Sequence, residues 1–334
     1  MENVCLAHEK AQKRKRHYAE VKRVNRHLAA YMEHLQGILA RGEYQTSEYQ
    51  VQTRNDTGKE RTIRVLPYYP DRIVHHCLMN VLEPIWQKTM IRDTYSAIKG
   101  RGVHDGQRRL RRMLADRQGT KYCLKLDVKQ FYPSIDHEIL KQVLRRRIKC
   151  RPTLDMLDEI VDSAPGVPIG NYLSQYLGNL YLDPFDHWVK EVLGIRYYAR
   201  YCDDIVILGP DKAALHDIRR IIGQYLYDSL RLRVKENWQV FPVAVRGIDF
   251  LGYRSFHDYT LVRKSIAKNF KARTRKIRKK PGRTALSQVM SYYGWFRHAD
   301  AGRLWKIHVD NSVREQVEKI CRQTKQGNPL RKAA

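Results

Sequence analysis

An α+β fold, in which helices back an antiparallel sheet, is what this sequence of 334 residues predicts. Three observations carry that prediction. The stretch Tyr122-Cys123-Leu124-Lys125-Leu126-Asp127-Val128 alternates in polarity, as a half-buried strand does. The apolar runs from Ile195 to Tyr201 and from Ile205 to Leu208 flank Cys202-Asp203-Asp204, which reads as a β-hairpin carrying acids at its tip. Amphipathic segments at helical spacing surround both, so that residues 122 to 230 run strand, helix, helix, hairpin, helix.

Taken in order, residues 6 to about 38 are rich in Ala, Lys, Arg, Glu, Leu and His without proline, and predict a basic helix or helix pair. A polar extended stretch from Tyr49 to Thr53 leads through a turn at Gly58-Lys59-Glu60-Arg61 into a β-branched strand from Thr62 to Leu66, which Pro67 and Pro70 stop. From Asp71, a candidate N-cap, apolar Ile73, Val74, Cys77, Leu78, Val81 and Leu82 fall at helical spacing to about Trp86. Gly100, Gly102 and Asp105 mark a loop before a basic helix from Gln107 to Asp116. Asp136 fits as the N-cap of a helix reaching Arg147. Gly166 to Gly170 is a Pro/Gly-bounded loop, and a helix kinked near Pro184 follows from Tyr172 to Leu193. An amphipathic helix from Lys212 to Leu230 precedes short strands at Trp238 to Val245, Gly247 to Tyr253 and Tyr259 to Val262. From Lys264 the chain is helical and very basic, with a break at Pro281-Gly282.

The 63 Lys and Arg against 35 Asp and Glu give a net charge of +28, spread along the whole chain. That is the electrostatic footprint of a nucleic-acid binder. A membrane-surface protein can also be basic. The sequence has neither an 18-residue apolar run nor an apolar segment behind Met1-Glu2-Asn3, so a soluble, cytoplasmic protein with no membrane partner is expected. The six cysteines stand far apart without a C-x-x-C pair, which speaks against structural zinc and for reduced thiols.

Asp127 and the pair Asp203-Asp204 each stand where a predicted strand ends. An isolated Asp-Asp pair is ordinary in a turn. Acids converging from two strands are different, because buried carboxylates need a cationic partner. A hard divalent ion accepts carboxylate oxygens, and two such ions clamp the attacking hydroxyl and leaving pyrophosphate of nucleotidyl transfer.

At these residues the sequence resembles a family. Asp127-Val128-Lys129-Gln130-Phe131-Tyr132 resembles the first palm motif of reverse transcriptases, and Tyr201-Cys202-Asp203-Asp204 their Tyr-x-Asp-Asp hairpin. Between them, Ile169-Gly170-Asn171-Tyr172-Leu173-Ser174-Gln175 is similar to the Ile-Gly-x-x-x-Ser-Gln version typical of diversity-generating retroelements, where many relatives carry Gln-Gly-x-x-x-Ser-Pro. Gly247-Ile248-Asp249-Phe250-Leu251-Gly252-Tyr253 resembles the primer grip, and Lys235 stands where the palm lysine is expected. The matches keep the family's order over about residues 55 to 260.

The resemblance implies a right-hand polymerase. Residues 1–55 would form a basic N-terminal helical extension, 56–120 fingers, 121–255 a palm with interleaved fingers elements, and 256–334 a basic helical thumb. Asp127, Asp203 and the backbone oxygen of Val128 would hold two Mg²⁺ ions, with Mn²⁺ a possible substitute and Asp204 a further ligand. Tyr132 would stand below the incoming sugar and exclude a 2′-hydroxyl, beside Ile169 and Gly170. Lys59, Arg61 and Arg72 would neutralise the triphosphate, for which the arginine fork is suited. Lys235 would protonate the departing pyrophosphate. Phe250, Leu251, Gly252 and Tyr253, together with Lys271, Arg275 and Arg278 of the basic tail, would hold primer and template. The aromatic residues Tyr292, Tyr293, Trp295, Phe296 and Trp305 are expected to pack that tail.

The implied function is error-prone RNA-templated DNA synthesis, yielding mutagenised cDNA from a template-repeat RNA. The implied partners are that RNA, the cDNA primer, dNTPs and a small basic oligomeric accessory variability protein. Isoleucine at 169 offers neither donor nor acceptor where related enzymes place an amide, which predicts errors opposite template adenines. Two other readings stand beside this one: a retron, group II intron or phage-defence reverse transcriptase, and a catalytically silent RNA-binding module of the same fold.

Overall fold

Two units divide the chain, one built from residues 1–100, 124–207 and 216–239, the other from 101–123, 208–215 and the described residues from 240 onward. The computed structural model describes residues 1–56, 59–279, 283–309, 311 and 314, and for 56, 59, 61, 277–279 and 283–287 it describes the backbone alone. The expected Gly58 turn and Pro281-Gly282 break lie outside the described residues.

In the first unit three helices, Glu2–Ala11, Ala19–Arg26 and Leu28–Arg41, form the basic N-terminal segment. An antiparallel hairpin follows, its strands Gln50–Asp56 and Lys59–Val65 registered from Gln50 opposite Val65 to Asp56 opposite Lys59. The helix Ile73–Thr89 buries Ile73, Val74, Cys77, Leu78 and Leu82. Asp71 does not cap it: its carboxylate instead accepts from the Tyr44 hydroxyl at 2.8 Å and the Ser47 amide at 3.0 Å. The central sheet runs in the order Tyr197–Tyr201, Asp204–Gly209, Tyr122–Asp127.

Asp136 does cap the helix His137–Arg147, accepting from the Ile139 amide at 3.1 Å. The helix Arg151–Asp162 was not foreseen, although Pro152 in its first turn and buried Leu154, Leu157, Ile160 and Val161 are helix signals. The expected helix from Tyr172 to Leu193 is broken. Tyr172–Tyr181 ends before Asp183–His187, because Pro184 has no amide to continue the ladder. The helix Lys212–Leu230 has the predicted bounds.

The second unit holds the helix Val103–Leu114 and a three-stranded antiparallel sheet of Ile248–Phe250, Tyr253–Ser255 and Thr260–Val262. The expected strand from Trp238 to Val245 shortens to Gln239–Pro242, and Val243–Arg246 is a helical turn. The expected strand from Gly247 to Tyr253 is a hairpin that turns at Leu251 and Gly252, with φ of +55° and +81°. A side chain at Gly252 would meet the Trp295 ring at 2.5 Å, so only glycine fits there. Helices Lys264–Lys279, Arg283–Phe296 and Gly302–His308 follow, joined by contacts of Phe270 with Phe296 and Trp305 and of Tyr293 with Trp305.

Candidate active site

Asp127 ends one strand and Asp204 begins its neighbour, so adjacent strand ends deliver Asp127, Asp203 and Asp204 to the same place. Asp203 and Asp127 are close enough for the charge of one to act on the other. Beyond its strand, Val128 bridges Val234, with the Lys129 amide donating to the Arg233 carbonyl and the Lys235 amide to the Asp127 carbonyl, both at 2.8 Å. In such a pair neither Val128 backbone group is spent on Val234. The same pairing carries the Lys235 ammonium to 2.6 Å from Asp127 Oδ1. Lys125 shares a strand face with Asp127, two residues away, and its ammonium stands 3.4 Å from Asp204 Oδ2. The other oxygen of Asp204, Oδ1, is buried with no hydrogen-bond partner.

Three carboxylates therefore lie at neighbouring, half-buried strand ends. Burial, followed by the neighbouring carboxyl of Asp127, pushes the Asp203 carboxyl above its usual range. Burial pushes Asp204 up to about 6, with Lys125 pulling the other way and Asp127 adding to the rise. Among the described residues no three His, Cys, Asp or Glu side chains stand together as a ready cage for an ion. The donor set nonetheless fits a hard cation: the oxygens are carboxylates, one is orphaned, and two of the acids resist ionising together.

Tyr132 opens a short 3₁₀ turn after the Asp127 strand, and its hydroxyl accepts from the Cys202 thiol of the hairpin tip at 3.3 Å. Gly178 lets the Tyr132 and Phe131 rings approach the helix Tyr172–Tyr181, since a side chain there would come within 3.0 and 3.2 Å of them. The Tyr132 carbonyl accepts from the Val167 amide at 2.9 Å, tying it to the loop that leads into Ile169. That loop is closed by Ser174, whose hydroxyl donates to the Pro168 carbonyl at 2.6 Å. The half-buried Ile169 accepts the Arg64 amide through its carbonyl at 3.0 Å. Gly170, at φ +124°, leaves no room for a side chain, which would lie 2.7 Å from Ile63 Cγ2. Tyr132, Ile169, Gly170 and the strand Lys59–Val65 are thus linked. The backbones of Lys59 and Arg61 lie on that strand, and their side chains are outside what is described.

Arg72 stands elsewhere, half-buried near Tyr68, Tyr18 and Lys15, with Nε buried and unpartnered. Phe250, Leu251, Gly252 and Tyr253 are buried in the second unit's hairpin. Lys271 and Arg275 are exposed on the helix Lys264–Lys279, while the Arg278 side chain is outside what is described. Sequence reasoning passes over Lys125 and Arg200. The signals for them are slight: the two-residue spacing of Lys125 to Asp127, and Arg200 as a lone cation in an apolar strand.

A profile described as reverse transcriptase (RNA-dependent DNA polymerase) matches residues 52–255. Protein YkfC of Escherichia coli strain K12 is 26% identical over 277 residues, covering 68% of this chain and 71% of that protein. An uncharacterized 91 kDa protein in the cob intron of Schizosaccharomyces pombe is 23% identical over 133 residues, covering 36% of this chain and 16% of that protein. Telomerase from Candida tropicalis, in complex with a TWJ fragment of telomeric RNA, superposes with a TM-score of 0.52 at 13% identity, over 69% of this chain and 49% of that one. The chain thus spans about half the telomerase, and the likeness is one of fold. No helix among the described residues is long and apolar enough to cross a membrane.

Proposed function

Since the chain belongs to the reverse transcriptase family, we propose that it is an RNA-directed DNA polymerase whose active site is the Asp127, Asp203 and Asp204 cluster. The observation that carries this reading is the meeting of Asp127 and Asp203 at adjacent strand ends, with Asp204 Oδ1 left without a partner. Asp127, Asp203, the Val128 carbonyl and, as a further ligand, Asp204 would hold two Mg²⁺ ions, with Mn²⁺ able to replace them. Bound there, the ions would supply Lewis acidity to the attacking 3′-hydroxyl and the leaving pyrophosphate.

The chain's own groups do the rest. Lys235, whose ammonium donates to Asp127 Oδ1 at 2.6 Å, is placed to give a proton to the leaving pyrophosphate. Tyr132, braced by Cys202 and Gly178, presents a fixed ring edge that a 2′-hydroxyl would meet. Arg61, with Lys59, answers the triphosphate, while Arg72, turned into its own half-buried surroundings, is left out of that role. The hairpin at Phe250 to Tyr253 supports the primer, and Lys271, Arg275 and Arg278 track the backbone of the duplex. Residues 56–120 act as fingers, 121–255 as palm and 256–334 as thumb, after the basic extension 1–55.

Within the family we assign the chain to the diversity-generating retroelement type, copying a template-repeat RNA with errors at adenines alongside a small basic accessory protein. The residue that supports this is Ile169, which brings no polar group to the loop. Primer extension with Mg²⁺ on defined RNA and DNA templates tests the reading. Metal-dependent extension from RNA that Asp203→Asn abolishes is expected. A wild-type protein that binds RNA and extends nothing would leave the silent binding module as the answer.

A further inference from the structure

The hairpin tip sits on an arginine that none of the proposed chemistry uses. Arg200 lies one residue before Tyr201 and its side chain is fully buried. Its Nε donates to Asp186 Oδ1 at 2.8 Å, and Nη2 donates to Oδ2 of the same carboxylate, a two-pronged ion pair. Nη1 donates forward to the carbonyl of Cys202 at 2.9 Å and sideways to Asn179 Oδ1 at 3.2 Å. Asn179 in turn donates to the Ser96 carbonyl at 2.6 Å. The Asp186 carboxylate is completed by the hydroxyls of Thr94, at 2.8 Å, and Tyr198.

The backbone of Arg200 is held as well. Its amide donates to the Asp93 carbonyl at 2.9 Å, and its carbonyl accepts from the Tyr95 amide at 3.1 Å. Arg200 thus joins the helix Tyr172–Tyr181, the helix Asp183–His187 and the hairpin tip through its guanidinium, and the segment from Asp93 to Tyr95 through its backbone. Cys202, the residue whose carbonyl it holds, has φ of +56°, a left-handed conformation that a residue with a side chain adopts only when its surroundings impose it. The Cys202 thiol is fixed too, on the Tyr132 hydroxyl.

We infer that the buried Arg200–Asp186 pair is a positioning device that holds the Cys202-Asp203 turn, and through it sets Asp203 against Asp127 and Tyr132 against Cys202. Removing either charge alone would leave the other buried and unpaired, so single substitutions at the pair also cost stability. The positioning role lives in the Nη1 bond to the Cys202 carbonyl. Lysine in place of Arg200 keeps the charge and cannot reach both Asp186 and that carbonyl.

This inference rests on the polymerase reading for its kinetic arm and stands apart from it in a second arm. With Arg200→Lys, kcat for primer extension is expected to fall about 100-fold, the effect of displacing a reacting group by roughly an ångström, with the dNTP KM little changed. In the absence of template and metal, alkylation of Cys202 is expected to accelerate about 10-fold through local opening of the turn, while buried Cys77 stays protected. Thr94→Val, which disturbs the same carboxylate and leaves the Cys202 bond alone, should lower the melting temperature without moving kcat or Cys202 reactivity.

If Arg200→Lys does not fold, the double variant Asp186→Asn with Arg200→Gln removes both charges together and is read in the same way. Folded Arg200 variants with wild-type kcat and wild-type Cys202 protection would overturn the inference. So would a Thr94→Val protein whose kcat falls in step with its melting temperature as the Arg200 variant's does. A wild-type chain that extends no primer sinks the polymerase reading instead, and leaves the Cys202 arm to decide this one.

Discussion

The contact between the Tyr132 hydroxyl and the Cys202 thiol joins the strand end that carries Asp127 to the turn that carries Asp203. A ring held at its hydroxyl and flanked by Gly178 cannot swing aside, as the proposed steric test for the sugar requires. Tyr132→Val should relax discrimination against NTPs by about 10- to 100-fold, the scale on which pocket shape discriminates, with dNTP kcat within a few-fold. Competitive incorporation of dNTP and NTP on one template measures it. At Ile169 the backbone, not the side chain, makes the fixed contact with Arg64, so Ile169→Gln should fold unaltered and lower adenine errors about 10-fold. Unchanged adenine errors on a sequenced cDNA would sink the assignment to Ile169. Asp127, Asp203 and Tyr132 were legible because motif spacing fixes them on strand ends and the turn between. Lys125 and Arg200 were not singled out, since an alternating strand assigns a residue to a face and says nothing of which acid waits there. Arg72 shows the converse, for its place in a motif-like order did not foretell its burial near Tyr68 and Lys15.

Elements fail to be legible where two local preferences compete. Val243 and Val245 favour strand, yet Pro242 at the N-cap and Gly247 at φ +67° enclose a helical turn between them. The run from Tyr172 to Leu193 kept a helical period across a proline that the backbone cannot ignore. The helix Ile73–Thr89 was legible in type, and its two histidines make a prediction about pH. His75 is buried with Nε2 unpartnered, and His76 is stacked on Tyr172. Burial pushes both down to about 4, helped by Arg72, with Asp71 opposing at His75 and Lys10 adding at His76. Both are neutral in the fold, so the unfolded chain binds more protons between pH 6.5 and 4. Their contribution is complete above 6.5 and is lost as pH falls toward 4, by about 1.4 kcal/mol per pH unit for each histidine. Asp183, Asp203 and Asp204, held above the carboxylate range, act in the opposite sense over the same interval. The informative quantity is therefore the difference between wild type and His75→Leu in urea unfolding at pH 6 and pH 5. The variant should lose about 1.4 kcal/mol per unit less on acidification. Parallel curves would mean that His75 is protonated in the fold.

At the scale of the whole molecule, membership of the family was legible because five matches keep their order from Asp127 to Tyr253, which chance rarely supplies. The charge of +28 was legible too, and it makes a quantitative demand. Each phosphate neutralised by Lys or Arg releases condensed counterions, so affinity for RNA must fall linearly on a log–log plot against salt, with a slope near −0.7 per contact on a single strand. A chain that used six such contacts would lose roughly 300-fold in affinity between 50 and 200 mM salt. Lys271 and Arg275 are exposed four residues apart on the helix Lys264–Lys279, one turn from each other on the same face. If that face follows a nucleic-acid backbone, Lys271→Gln with Arg275→Gln should make the slope shallower by about 1.4 to 1.8 for single strand or duplex and weaken all sequences alike. Being exposed, neither residue supports the core, so the melting temperature should hold within a degree or two. Fluorescence anisotropy of a labelled RNA across a salt series reads both numbers. An unchanged slope in the double variant would place the contacts on other basic faces of the chain, of which the exposed Arg146, Arg147 and Lys149 are the next to neutralise.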